Sequence, residues 1–247
     1  MTVSSPLAAY ARWQLRDSLP RLATPLVIFL SLGLLPLWAL ARQSGGFAAM
    51  RLEGEPQAMA LVAYHSTLTL AMTLGAVLLA SGIVALDRER QHFRFLFSNP
   101  VAPWKYYLQR FVIGAVMFAL VMALIPLGFG ALVAGVPVLP VITSSLMYAL
   151  LYGSLAMLCG ALLNKDGIMF IGIILVAGVL QQSKPMLPEW VGAVANSLPP
   201  VNVTSTVRAA WLAGRAADTG DVLLVGLYSL AMLAAALVLI RRAPLAR

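Results

Sequence analysis

Apolar runs long enough to cross a lipid bilayer recur along this chain, and they restrict what it can fold into more than any other feature. Six can be marked, at 22–41, 58–86, 107–134, 138–163, 167–183 and 222–240. A spanning helix needs roughly 20 apolar residues, with a range of about 17–25. Lipid offers backbone amides no hydrogen-bond partner, so each run must satisfy its own backbone as a helix. A membrane barrel would instead show alternating segments of about 10 residues. Composition agrees: of 247 residues, 61% are hydrophobic and 11% charged, against about 25% charged in soluble domains. The expected fold is an all-α integral membrane protein with six transmembrane helices, forming a single domain over 1–247.

Details of the runs sharpen this expectation. Pro25 and Pro36 interrupt the first run, and Pro126 predicts a kink in the third. The first run ends at Ala39-Leu40-Ala41, which resembles a signal-peptide cleavage pattern. It is longer than the ~7–15 apolar residues of such signals, so it reads as a retained span. The apolar part of the fifth run is short and needs Gln181, Gln182 and Ser183 to reach a surface. The sixth holds eleven Leu, Ile and Val residues, which together favour insertion by about 5 kcal/mol. The pairs Ala71 with Gly75 and Ala156 with Gly160 predict close helix packing, and Cys159, the lone cysteine, reads as a small packing residue.

The net charge of +8 is distributed as a topology signal rather than as a nucleic-acid surface. With both termini in the cytoplasm, twelve Lys and Arg residues lie inside and five outside. Positively charged loops are retained inside, so a multi-pass protein of the cytoplasmic (inner) membrane with both termini cytoplasmic is expected. Residues 9–21 alternate Tyr10, Trp13 and Leu15 with Arg12, Arg16 and Asp17, predicting an interfacial helix at the N-terminus. Between the fifth and sixth runs, Pro185, Pro188, Pro199 and Pro200 break any long helix. Two short outer helices remain, at 189–197 and 203–213, on or dipping into the outer leaflet. Asn202-Val203-Thr204 matches a glycosylation sequon and is read as chance.

Several chemistries lack their residues. No GxxxxGK[ST] loop, H-E-x-x-H, CxxC or G-x-S-x-G motif occurs. His65 and His92 lie far apart without a surrounding ligand cluster. No Asp, Glu, Lys or Arg lies deep inside a run, where ion-driven carriers place such groups; His65 is the one titratable exception. These absences leave a transport role without its own energy source. The reading is a non-enzyme, with no catalytic residue, cofactor or metal on this chain.

Attention therefore falls on 86–110, LDRERQHFRFLFSNPVAPWKYYLQR, the one long charged stretch between spans. Asp87, Arg88, Glu89 and Arg90 leave the second run. Phe93, Phe95, Leu96 and Phe97 come next, around Arg94, and Asn99-Pro100 and Ala102-Pro103 then break the chain. Trp104, Tyr106 and Tyr107 re-enter the interface, while Lys105 and Arg110 close the charged stretch. Such an amphipathic element facing water can dock in a groove of a soluble partner and pass motion to the two helices that hold it. The plainer alternative is a cytosolic loop that only sets topology.

The order of Asp87-Arg88-Glu89-Arg90, Phe95-Leu96, Ser98-Asn99-Pro100-Val101 and Tyr106-Tyr107-Leu108 resembles the ATP-binding-cassette (ABC) type 2 permease family. Leu187-Pro188-Glu189-Trp190-Val191, then Leu198-Pro199-Pro200 and the stretch from Arg208 to Gly214, is similar to that family's outer segment before its last span. Gln91-His92 stands where many members carry Gly-Thr. The resemblance implies a permease subunit of an ATP-driven exporter for a hydrophobic or amphipathic substrate. It implies a second permease subunit, identical or different, and cytosolic ABC ATPase subunits that hold the ATP and Mg. It also implies that 87–103 is a cytoplasmic coupling helix, with Asp87, Arg88, Glu89, Arg90, Phe93, Arg94, Phe95, Leu96, Ser98 and Pro100 meeting the ATPase. Substrate would pass along the first, second and fifth spans. The competing readings are an ion-coupled secondary carrier and a non-transporting assembly or mechanotransmission component.

Overall fold

The computed structural model describes residues 10–16, 20, 23, 27, 55–80, 84, 102–132, 137–162 and 166–242. Among them every regular element is helical, and seven α-helices come after residues 10–16. They are α1 (Glu55–Ala80), α2 (Pro103–Leu132), α3 (Val138–Leu162), α4 (Asp166–Gln182), α5 (Glu189–Ser197), α6 (Val201–Leu212) and α7 (Thr219–Arg242). A 3-10 turn, Lys184–Met186, joins α4 to α5. Among the described residues three helices are long and apolar enough to cross a membrane: Pro103–Gly128 within α2, α3 and α7. Tyr64–Leu79 of α1 and Met169–Gln182 of α4 are shorter apolar helices. The run at 22–41 lies outside the described residues, save for 23 and 27.

The bundle is arranged for lipid, not water. Along α2 the exposed side chains are Val112, Val116, Leu120, Leu124 and Leu127, one apolar stripe. On α7 they are Leu223, Leu224, Leu227, Leu230 and Val238. Hydroxyl groups turn inward instead. Ser145, Ser154 and Ser229 are buried and donate to carbonyls of their own helices, those of Val141, Leu151 and Val225. This bonding lets a polar residue sit inside an apolar bundle without an orphaned donor. A soluble domain with such outward stripes would aggregate; in a bilayer they are the solvated face.

α3 is the central helix. Sixteen of its 25 residues are buried, and it packs against α1, α2, α4, α6 and α7. The small residues do the work expected of them inside this one chain: Ala71 and Gly75 on α1, and Ala156 and Gly160 on α3, are all buried. Gly153 matters most. A Cβ there would lie 2.4 Å from Cε2 of the buried Phe111 ring on α2, so glycine is what lets that ring lie against the α3 backbone. α2 continues as one helix through Pro126, where the sequence predicts a kink.

Two ends can be told apart by charge. At the basic end, α2 begins with Lys105 and Arg110, and α7 finishes with Arg241 and Arg242, cations that suit a helix C-terminus. At the loop end lie α5 and α6. α6 closes in a Schellman motif: Arg215 N–H donates to the Ala210 carbonyl, Gly214 N–H donates to Trp211, and Gly214 has φ 68°. The Asp218 side chain accepts the Gly220 N–H and caps α7. The Asn202-Val203-Thr204 triplet is helical, with Thr204 buried and its hydroxyl donated to Pro200.

Candidate functional site

Polar side chains from four helices converge near the loop end. Thr69 and Thr73 stand one turn apart on α1, Tyr148 and Tyr152 one turn apart on α3, and Ser205 and Arg208 three residues apart on α6. With Gln182 at the end of α4 and Asn202 on α6, they line a cavity of about 320 Å³. Its remaining wall is apolar and comes mainly from Ile174, Leu175, Gly178 and Val179 of α4. Helices α1 and α4 correspond to the second and fifth apolar runs.

A set of tethers holds α5 and α6 in place. The Gln181 amide donates to the Pro199 carbonyl at 2.7 Å and to Ala195 at 3.3 Å, and its oxygen accepts the Asn202 N–H at 3.1 Å. One side chain thus serves a late carbonyl of α5, the Pro199 carbonyl between the two helices and an early N–H of α6; helix ends leave the first and last of these unpaired. From the opposite side, Tyr228 of α7 donates to the Ser197 carbonyl at 3.0 Å. Val207 packs into the core beneath.

This tethering sets the pair below the tips of its neighbours. Tyr148 lies ten residues beyond the start of α3, about 15 Å along it. Tyr228 lies nine residues into α7, about 13 Å along. Helix α6 therefore packs against α3, α4 and α7 and carries Arg208 in with it. The Arg208 guanidinium donates to the Tyr148 hydroxyl at 2.9 Å and stands 5.6 Å from the centre of that ring, a cation–π distance. Tyr148 stacks on Tyr152 at 5.4 Å, and Tyr152 meets Phe170 edge-on at 6.2 Å. The Arg208 Nε is buried without a hydrogen-bond partner, and no carboxylate among the described residues pairs with the group. His65, one turn before Thr69, lies within electrostatic reach of it.

Sequence alone does not single out Arg208 as a bundle residue. Scanning the middle of the spans for charge finds none, because the cation arrives on a helix that is not a span. The local signals are the Pro199-Pro200 break before α6 and its alternation of Val203, Val207 and Trp211 with polar residues.

At the basic end the residues assigned to coupling, Asp87, Arg88, Glu89, Arg90, Phe93, Arg94, Phe95, Leu96, Ser98 and Pro100, lie outside the described residues. The start of α2, next along the chain, forms a buried seat, not an interfacial one. Tyr106 and Tyr107 are fully buried, in a cluster with Val84, Met157 and Ile240. Tyr10 of the N-terminal helical piece packs edge-on to Tyr106 at 5.5 Å, while Trp13 and Leu15 of that piece stay exposed. Arg110, grouped by sequence with the water-facing charges, is 7% exposed. It falls in the second turn of α2, where the helix has already entered the bundle. Lys105 remains exposed beside a groove of about 530 Å³ along Trp104, Leu108 and Val112. Comparison of the chain with models of known protein families, with curated proteins and with solved structures gives no match.

Proposed function

We propose that this chain is the permease subunit of an ATP-driven exporter of the ABC type 2 kind, with six spans of the cytoplasmic membrane and both termini in the cytoplasm. In this reading it works with a second permease and with cytosolic ATPase subunits that bind ATP and Mg. Residues 87–103 form the coupling element, and cargo of hydrophobic or amphipathic character moves along the first, second and fifth spans. The supporting observation is the seat at the basic end. The chain leaving 87–101 goes straight into Tyr106 and Tyr107, which Tyr10 and the feet of α3 and α7 clamp. A push on an element so anchored moves α2 as a rigid body instead of dissipating in a loose loop. At the far end α1, on the other side of the same element, lines the polar cavity.

The test uses the full chain in its native membrane. Cysteines replacing Glu89 and Phe95 are expected to crosslink to a cytosolic protein that takes a photoreactive ATP label. Alanine at both positions is expected to weaken that docking about 10- to 100-fold, the effect of losing two interface hot spots. External labelling of cysteines at 87–105 by an impermeant maleimide would overturn the reading. So would a complex that hydrolyses ATP at the unmodified rate with 87–103 replaced by a Gly/Ser linker. Gradient-driven uptake by the chain alone in ATP-free vesicles would instead establish the ion-coupled carrier.

A further inference from the structure

The cavity at the loop end has a chemical polarity of its own. Thr69 and Thr73 donate their hydroxyl hydrogens back to α1 carbonyls, those of His65 and Thr69, and Ser205 donates to Asn202. The groups left to donate into the space are different ones. They are the remaining terminal N–H groups of Arg208, the Tyr148 hydroxyl hydrogen (its oxygen already accepts from Arg208), the Tyr152 hydroxyl, and the Gln182 and Asn202 amides. Charge and donors thus exceed what the described residues absorb, and no carboxylate among them balances the guanidinium. A half-buried cation with no counter-ion among the described residues gains from a bound anion. The planar guanidinium fork matches the two oxygens of a carboxylate or phosphate.

The apolar wall decides what carries that anion. Leu175 and Val179 line the cavity and are also exposed on the outer face of α4, 62% and 63%. A ligand with its charged head at Arg208 therefore has a hydrocarbon path out along α4. A volume of about 320 Å³ sits at the small end of ligand pockets and suits a headgroup, not a whole lipid.

We infer that this cavity binds the oxyanion headgroup, phosphate or carboxylate, of a single-charged amphiphile, with Arg208 as its counter-ion and its chain leaving past Leu175 and Val179. This deepens the export reading by naming the charge of the cargo, and rests on that reading only for calling the ligand cargo; the binding itself needs no ATPase.

The test is therefore binding by the full-length chain alone, in nanodiscs of phosphatidylcholine. Phosphatidic acid, a fatty acid and inorganic phosphate are titrated in turn, and thermal stability and native mass spectrometry are read. Saturable binding of one anionic amphiphile is expected, weakened about tenfold or more by Arg208→Gln and less by Arg208→Lys, which keeps the charge but not the fork. Tyr152→Phe removes one donor without removing a ring, and is expected to weaken binding severalfold should Arg208→Gln fail to fold. Equal binding by wild type, Arg208→Lys and Tyr152→Phe would overturn the inference. Inorganic phosphate alone stabilising as well as the lipids do would overturn the amphiphile and identify a free oxyanion as the source. A failure here leaves ATPase coupling at 87–103 untouched, and a failure there leaves this binding measurable.

Discussion

Replacing Gln181 by Leu removes one side chain and releases three backbone groups. The Gln181 amide reaches the Pro199 carbonyl at 2.7 Å and Ala195 at 3.3 Å, and its oxygen holds the Asn202 N–H at 3.1 Å. Pro199 keeps a second partner, because its carbonyl also accepts the Val201 N–H at 2.7 Å. Ala195 has no such reserve: the N–H that would continue its helix four residues on belongs to a proline. Asn202 stands in the first turn of α6, where N–H groups have no intrahelical acceptor. At about 0.5–1.5 kcal/mol net per bond, with the 3.3 Å bond at the low end, the loss is about 2–3 kcal/mol. That raises the open population of α5 and α6 roughly 30- to 150-fold. Backbone hydrogen exchange of the reconstituted chain reads it directly: protection across 189–212 is expected to fall by that factor, while α3 and the second half of α7 keep theirs. Gln182→Leu, with no hydrogen bond to either helix, serves as the control. Unchanged protection in 189–212, or loosening spread evenly over the bundle, would refute the tether.

Three further perturbations test the packing around the site. Gly153→Ala puts a methyl 2.4 Å from the Phe111 ring and is expected to destabilise by about 1–3 kcal/mol. Phe111→Leu should recover part of that cost, so a four-protein melting cycle showing no coupling would contradict the contact. Gly214→Ala, at φ 68°, should cost about 1–2 kcal/mol and Gly214→Asn less; equal melting temperatures for the two variants would argue against the Schellman closure. Tyr228→Phe loses the single bond to Ser197, about 0.5–1.5 kcal/mol, and hydrogen exchange should show the effect concentrated in α5.

Helix limits are legible in the sequence where punctuation and apolar length agree. The run at 138–163 becomes Val138–Leu162, and the short piece at 189–197 becomes α5 with the same ends, because Pro188 and Pro199 bracket it. The side-chain environment is legible only where a residue's own helix decides it. Sequence order assigns Arg110 to water because charge comes after charge in the segment, yet α2 begins at Pro103 and has made nearly two turns by then. It assigns Arg208 to the outside because that residue lies beyond the fifth run. How closely α6 brings it against the bundle is tertiary: Gln181 and Tyr228 fix the α5–α6 corner to α4 and α7.

Counting charges inside apolar runs tests only whether a span carries its own ion, and leaves open whether a neighbour delivers one. Delivery on a short helix has a physical consequence of its own. A charge built into a spanning helix must be inserted with that helix against a cost of about 2.5–3.5 kcal/mol at its centre. A charge on α6 can enter after the bundle has formed, when the Tyr148 hydroxyl and ring are already in place to receive it. The polar tethers on α5 and α6 are three bonds from Gln181, one from Tyr228, one from Lys184 to Asn196 and the Arg208–Tyr148 bond itself. In the anion-binding reading, a ligand that pairs with Arg208 adds to the bonds that hold α6 down.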